Sequence, residues 1–298
     1  MDQHHGPLRD RGDEVASQGF KFDFFSHEDE DQAKESYKEP LQTKALIPAE
    51  LLEITDRTLD QAAKWCSEKS LDVNVGGSIG QLRLVQTTNT KLAESSSAAA
   101  VTDVEPDVYE GGFKIWECAL DVARILSEQG EQSSTTRVLD LGCGHGVPGI
   151  VAARLGATVL FQDLNKEVLL RQTCKNVERN LGRAAVEMHA FVSGDWRELG
   201  PNTMGVSLFD LIVSAETVYA IELFDTLHGV LERWLAPLGR ALIAGKRYYF
   251  GVGGGTTSFE QYILGRGVFD VKVLASYNDG SSNIRDVLEL RKKRSTVT

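Results

Sequence analysis

The sequence predicts an α/β fold: a doubly wound, mostly parallel sheet that ends in an antiparallel hairpin. Three observations carry this expectation. From Val108 onward, short apolar runs alternate with stretches of helical period, the pattern of strand–crossover–strand units. A glycine cluster, Gly142-Cys-Gly-His-Gly146, follows the first apolar run directly and precedes a helix. The last two apolar runs are joined by Asn278-Asp-Gly-Ser-Ser-Asn283, rich in turn residues and with no room for a helix, so they should pair antiparallel at one edge.

Each element follows from its own pattern. Between Gly112 and about Gln129, Ile115, Trp116, Ala119, Val122, Ala123 and Leu126 recur at helical spacing. Arg137–Leu141 reads as a short buried strand, Val147–Leu155 as a helix and Thr158–Gln162 as a strand. Lys166–Asn180 reads as a helix, Val186–Val192 and Phe209–Ser214 as strands, and Glu222–Leu235 as a helix. Arg240–Ala244 is expected to be a strand, Thr257–Leu264 a helix, and Phe269–Ala275 and Arg285–Leu290 the final strand pair.

The region before Val108 is different. Residues 1–46 are polar, with a His27-Glu-Asp-Glu-Asp31 run, and read as a largely disordered arm. Within it Phe20-Lys-Phe-Asp-Phe-Phe25 alternates aromatics, as a short strand or a docking tag would. Residues 47–67 are compatible with a short helix, and 70–86 with a strand pair around Gly76-Gly77. Residues 87–107, rich in Thr, Ser and Ala and ending near Pro106, read as a linker. The expected organisation is an arm (1–46), an extension and linker (47–107), and one α/β domain (108–298).

Composition narrows the function classes. With 42% hydrophobic and 25% charged residues over 298 positions, the chain matches ordinary globular proteins and not a wholly disordered one. No apolar run approaches the ~20 residues of a membrane span, and the N-terminus lacks a basic-then-apolar signal. A net charge of −11 argues against direct nucleic-acid binding and would attract a basic protein partner. Cys66, Cys118, Cys143 and Cys174 form no C-x-x-C pair, so they read as reduced thiols and no metal site is expected. Cytoplasm and nucleus are the expected compartments.

The glycine cluster is the expected cofactor loop, because ligands of an open parallel sheet bind at the carboxyl ends of its strands. Gly144-His-Gly146-Val-Pro-Gly149 formally fits the dinucleotide fingerprint, but it begins late and follows Asp140, whose charge should repel a pyrophosphate. S-adenosylmethionine, which carries a sulfonium and an ammonium, suits an acidic loop better. Asp163, 23 residues after Asp140, ends the second strand and can accept from both ribose hydroxyls, a feature both cofactors share. Asp195-Trp196 offers a carboxylate and an aromatic face to adenine.

The run Asp140-Leu-Gly-Cys-Gly-His-Gly146 resembles the first motif of seven-stranded, Rossmann-like S-adenosylmethionine-dependent methyltransferases. Further segments resemble the protein-histidine N-methyltransferase family: Val108-Tyr-Glu-Gly-Gly-Phe-Lys-Ile-Trp-Glu-Cys118, Phe161-Gln-Asp-Leu-Asn165, Ser193-Gly-Asp-Trp196, Ser214-Ala-Glu-Thr-Val-Tyr219 and Tyr249-Phe-Gly-Val-Gly-Gly-Gly255. The aromatic tag near residue 20 is similar to that family's N-terminus. The resemblance implies methyl transfer to a ring nitrogen of a histidine in a large-subunit ribosomal protein. It also implies that Ile115, Trp116, Glu117 and Cys118 line the methionine end of the cofactor and that Gly142 and Gly144 approach it. It places Gln162, Asp163 and Leu164 at ribose and adenine, Gly194, Asp195 and Trp196 over adenine, and Ser214 near the methyl. Three departures stand out. Leu164 replaces a frequent Tyr, Ala220-Ile221 replaces an Asn-Pro or Gln-Pro pair, and Gly280–Arg285 lacks the usual Leu-Lys-Arg.

The implied reaction asks little of the protein as a base. Neutral imidazole already has a lone pair, so the enzyme must aim that nitrogen, exclude water and accept the proton on the other nitrogen. Glu216 and Tyr219, just past the fourth strand, are the catalytic candidates. His145 reads better as a helix-start residue than as a base, and Cys118 and Cys143 as packing residues. Gly251–Gly255 is either a substrate lid or a plain loop. Arg291-Lys-Lys-Arg294 is either a nuclear address or a solvated charge run. Two rival functions remain: a protein-lysine methyltransferase of the same fold, and a non-enzymatic ribosome-assembly factor that retains the cofactor fold. A dehydrogenase is a distant third.

Overall fold

A computed structural model describes residues 46–64, 69–86, 111–205, 207–249, 251, 253–278, 280 and 283–294. The arm with its aromatic tag and the linker expected at 87–107 lie outside these residues, as do Cys66 and Val108–Glu110. The described chain belongs to one compact unit that begins at Ala45.

The strands in chain order are β1 (Glu50–Leu51), β2 (Lys69–Gly76), β3 (Gly80–Gln86), β4 (Arg137–Leu141), β5 (Thr158–Asp163), β6 (Ala190–Ser193), β7 (Phe209–Ala215), β8 (Leu235–Lys246), β9 (Phe269–Tyr277) and β10 (Arg285–Lys292). Eight of them form one sheet in the order β1-β6-β5-β4-β7-β8-β10-β9. β6, β5, β4, β7 and β8 run parallel, while β10 is antiparallel to both β8 and β9. The seven strands expected from sequence are present, and the final hairpin lies at the edge with β10 inserted inside β9. The eighth strand, two-residue β1, pairs antiparallel with β6.

The helices are α1 (Asp56–Ala63), α2 (Glu117–Gln129), α3 (Val147–Arg154), α4 (Lys166–Val168), α5 (Cys174–Leu181), α6 (Arg183–Glu187), α7 (Pro201–Met204), α8 (Phe224–Trp234) and α9 (Thr256–Arg266). Alternation along the strands sends side chains to opposite faces. Val138, Leu211, Val213, Leu242 and Ala244 face a core closed by α2, α3, α5 and the β2–β3 hairpin. Leu139, Leu141, Ile212, Ala241 and Ile243 face a second core closed by α8 and α9. Leu52, Leu59, Val73, Val75, Leu82 and Leu84 belong to the first core, so the described part of residues 47–107 is packed into the same unit as the sheet.

One expectation fails. Val186–Val192 is not a strand throughout: Arg183–Glu187 is the helix α6 and pairing begins at Ala190. Gly182 ends α5 with φ 91°, and Arg-Ala-Ala-Val-Glu, rich in helix formers, starts a fresh turn that buries Val186.

Candidate functional site

The chain leaves β4 for β5 and β6 on one side, then returns to β7 and β8 on the other. The strand order therefore reverses between β4 and β7, which opens a crevice at their carboxyl ends. The Gly142–Gly146 loop follows β4, and Glu216 follows β7, so both sit at this crevice.

The loop is built on backbone that side chains rarely adopt. Gly142 and Gly144 have φ of 66° and 51°. A Cβ at Gly144 would stand 3.2 Å from the Gly112 carbonyl oxygen, and one at Gly142 3.0 Å from the Thr217 methyl. The end of β5 holds this loop. Gly144 N–H donates to Asp163 Oδ2 at 2.9 Å, Asn165 N–H donates to Asp163 Oδ1 at 3.1 Å, and Gly142 N–H donates to Gln162 Oε1 at 3.3 Å. The same Gln162 oxygen accepts from the Trp196 indole at 2.9 Å, which brings that ring beside Gly142. Burial pushes the Asp163 carboxyl up to about 6, against the opposing pull of its backbone amide donors.

Asp140 corrects the electrostatic argument made from sequence. Its side chain lies on the α3 face of the sheet, 2% exposed, and accepts from Gly149 N–H at 2.8 Å. Burial pushes its carboxyl up to about 8, so at neutral pH it is largely uncharged. It anchors the start of α3, and the cofactor has to be argued from other residues.

Glu216 is the only non-glycine residue with positive φ among the described residues, at 60°. Its N–H donates to the Ala244 carbonyl at 2.8 Å. Its Oε2 accepts from the Tyr249 hydroxyl. Its Oε1 is buried with no hydrogen-bond partner among the described residues. The Cys118 thiol lies against this carboxylate, close enough for a weak S–H hydrogen bond to it; burial first, and then the Glu216 charge and that bond, push the thiol well up, so it stays protonated. A strained backbone and an orphaned buried carboxylate oxygen together single Glu216 out as a candidate for contact with a ligand.

The other candidates fall into three groups. Trp196, Gln162, Asp163, Gly142 and Gly144 are linked by the contacts above, while Glu216 and Cys118 form a second set with Tyr249, tied to the glycine loop through the neighbouring Thr217, whose methyl faces Gly142. Elsewhere, protein atoms already use the polar groups. Ser214 is fully buried, donates to the Leu141 carbonyl at 2.7 Å and lies 2.7 Å from Thr217 Oγ1. The Asp195 carboxylate is engaged by Arg197, with Nε at 2.8 Å. Gly194 is required by the Pro48–Ala49 backbone, 2.5 Å from where its Cβ would be. Glu117 is exposed at the start of α2, and the cation it meets is Arg285 of the protein, at 3.4 Å. Trp116 donates to the Gly111 carbonyl at 3.0 Å under the Lys114 ammonium. Ile115 and Leu164 are half-buried. Tyr219 lies edge-on to Tyr249, ring centroids 6.4 Å apart.

His145 is a latch. It is buried, its Nε2 lies 3.0 Å from the Phe113 carbonyl, and burial pushes it down to about 4, so the ring is neutral. In the glycine run, Gly254 and Gly255 are packed, whereas Gly251 and Gly253 are exposed. Gly255 N–H donates to Val218 O at 2.8 Å, and a Cβ on Gly254 would lie 2.2 Å from the Tyr219 carbonyl. Tyr249 and Thr217 were not singled out from sequence. Tyr249 is 33 residues from Glu216, and only β8 and the following turn bring the two together.

A doubly wound sheet with a glycine loop at its switch point, closed by an antiparallel β8–β10–β9 edge, has the α/β methyltransferase fold. A family model described as "Lysine methyltransferase" matches residues 101–250, half of the chain, and the chain belongs to that family. It is 38% identical over 192 residues to a histidine protein methyltransferase 1 homolog of Dictyostelium discoideum, covering 64% of this chain and 61% of that protein. It is 36% identical over 212 residues to the homolog of Mus musculus, covering 62% and 58%. To histidine protein methyltransferase 1 of Schizosaccharomyces pombe it is 31% identical over 198 residues, covering 53% and 58%. The chain thus spans about three fifths of the length of these relatives.

The methyl donor of this class is S-adenosylmethionine, and the residues present fit it. Asp163, held by the backbone amides of Gly144, Leu164 and Asn165, is a carboxylate acceptor at the end of β5, as ribose hydroxyls require. The Trp196 ring is fixed beside the glycine loop. The unpartnered Glu216 oxygen suits a cation or an N–H donor. No helix among the described residues is long and apolar enough to cross a membrane.

Proposed function

We infer that this chain is a protein-histidine N-methyltransferase that uses S-adenosylmethionine, and that its substrate is a histidine of a large-subunit ribosomal protein in the cytoplasm or nucleus. The observation that carries the reading is the buried, unpartnered Oε1 of Glu216 at the crevice where the glycine loop lies. The donor, when bound, supplies an electrophilic methyl on a cationic sulfur. The protein's own residues have three tasks. Asp163, Gln162 and Trp196 orient the donor. Cys118 and the surrounding apolar side chains keep water away. Glu216 Oε1 accepts the N–H of the target ring, which selects the tautomer whose other nitrogen attacks and stabilises the imidazolium that forms. Tyr219 lines the same side.

The net charge of −11 favours a basic partner such as a ribosomal protein. A lysine target is the second reading, because the family model carries that description and a carboxylate also suits an amine. Incubation with labelled S-adenosylmethionine and ribosome-rich or ribosome-depleted extract, followed by acid hydrolysis, separates the two. Labelled methylhistidine that depends on ribosomes supports the proposal. Labelled methyllysine, or no labelled protein, refutes it.

A further inference from the structure

We propose that Tyr249 is a positioning residue: it ties up one oxygen of Glu216 and so leaves the other aimed at the substrate. The inference rests on the reading of Glu216 as the acceptor for the target side chain.

The direction of the hydrogen bond is fixed by the neighbours of Tyr249. Its hydroxyl oxygen accepts the Lys246 N–H at 3.1 Å, so its own hydrogen is free to go to Glu216 Oε2. Burial first, and the Glu216 charge second, raise the hydroxyl well above an ordinary phenol, so it remains a donor at any working pH. Glu216 cannot turn away easily, since its backbone is pinned to Ala244 in a left-handed conformation. With Oε2 occupied by the tyrosine, Oε1 is the oxygen left for a ligand: it has no hydrogen-bond partner among the described residues, and the Cys118 thiol beside the carboxylate is only a weak donor.

The turn that carries Tyr249 is clamped at both ends by one buried carboxylate. Asp286 accepts from Arg247 Nε and Nη2 at 2.9 and 2.7 Å and from Thr256 Oγ1 at 2.9 Å, and Ser276 adds a bond at 2.6 Å. Burial alone would raise the Asp286 carboxyl, but these donors hold it below the usual range, so it stays charged. Within the turn, Gly253 N–H donates to Tyr249 O and Tyr249 N–H to Gly254 O. The tyrosine is thus held by backbone hydrogen bonds within the turn and by the Asp286 clamp at its ends, as a group that must orient a carboxylate requires.

The test is a double-mutant cycle of Tyr249→Phe and Glu216→Gln, read in methyl transfer to ribosome-rich extract and in urea unfolding. Tyr249→Phe alone should lower turnover by at least about tenfold while the KM for S-adenosylmethionine stays within about twofold. In the Glu216→Gln background it should lower turnover no further. The unfolding midpoints should also be coupled, the double variant losing less than the sum of the singles. Additive losses of turnover overturn the proposal, as does near-wild-type turnover of Tyr249→Phe; coupled unfolding with additive turnover makes the bond merely structural and overturns it too. Transfer to lysine instead of histidine sinks the histidine reading and leaves this test intact, since the cycle counts methyl groups of either kind. If the wild-type chain transfers no methyl group, the reading of Glu216 fails and the positioning claim falls with it, whereas additive midpoints alone overturn the claim that Tyr249 holds Glu216.

Discussion

Asp163 accepts the Gly144 amide hydrogen across 2.9 Å, so the acid at the end of the second parallel strand shapes the glycine loop after the first. One carboxylate therefore has two duties: it holds the loop and, in the proposed complex, receives the ribose. Asp163→Ala should weaken S-adenosylmethionine binding by about ten- to a hundredfold, the loss of ~1.5–3 kcal/mol for hydrogen bonds to a charged group. The residue also sets a pH dependence. Only the ionised carboxylate accepts at every lone pair, and burial has raised it to about 6, so affinity should fall as pH drops through 6. Calorimetry at pH 5 and 7.5 checks both statements. Unchanged affinity in the variant removes Asp163 from the ribose site.

Asp140 makes a separate prediction about stability. Its carboxyl is raised from 3.8 to about 8 in the fold, so the proton is held more tightly there than in the unfolded chain. A raised group contributes stability that is full below the unfolded value and is lost as pH rises through the folded one. Asn at this position has no proton to lose and can still accept from Gly149. Between pH 5 and pH 8 the Asp140→Asn variant should therefore gain at least about 1 kcal/mol relative to wild type. Urea unfolding at the two values measures it, and parallel pH profiles for the two proteins would show that Asp140 does not titrate in this window.

Much of the fold was legible because it depends on local pattern. Arg137–Leu141 and Phe209–Ser214 are apolar runs bounded by polar residues, and Gly142–Gly146 occupies the turn that only glycine allows. What escaped depends on contacts between distant residues. Val186 looked like the start of a strand because Val186–Val192 is apolar enough for either structure; Gly182 and the two alanines decide for a helix. Asp140 looked like a charge at the crevice, but strand alternation turns it under α3. Glu216 was found from its place after β7, whereas Tyr249 could be linked to it only through the course of β8. Ser214, Gly194, Asp195 and Glu117 carry motif positions, yet the backbone or an arginine of the same chain uses each of them.

The β2–β3 hairpin shows another relation hidden from sequence. Gln172, Asn176 and Asn180 are spaced four apart and point along one helical face toward the open edge of β3. Asn180 accepts Arg83 N–H at 3.0 Å and donates to Arg83 O at 2.8 Å; Asn176 accepts Val85 N–H at 2.6 Å, and Gln172 donates to Val85 O. Three amides thus take the place of a neighbouring strand and cover an edge. The π-helical turn Leu169–Thr173 also lets Thr173 reach Gly144 O at 2.6 Å, so the same stretch touches the cofactor loop. Asn176→Leu strands Val85 N–H and the His145 carbonyl, its second partner at 3.0 Å. The expected cost is about 2–6 kcal/mol, since each of the two buried unsatisfied groups costs ~1–3 kcal/mol. Asn180→Ala, which is less buried, should cost less. Hydrogen exchange at Val85 reports the opening directly, and full protection of that amide in Asn176→Leu would show that the ladder contributes little.

Glu216→Gln tests the chemistry of the site. The amide keeps the shape of the side chain but removes both the charge that would stabilise an imidazolium and the charge-assisted bond from Tyr249. If Glu216 orients the target ring, the loss falls on turnover and hardly on cofactor affinity, because the interaction strengthens only as the ring becomes cationic. Orienting and proton-accepting groups contribute ~10²–10⁴-fold, which sets the expected drop. Acid should slow wild type as well. Below about pH 6.5 a solvent-exposed target histidine is protonated and has no lone pair for attack. That acid limb belongs to the substrate and should persist in Glu216→Gln at its lower rate. Single-turnover methylation across pH 5.5–8.5, with cofactor affinity measured in parallel, gives both quantities. If the variant turns over at nearly the wild-type rate, the strained backbone at Glu216 serves packing and the acceptor lies elsewhere, with Tyr219 the next side chain to replace.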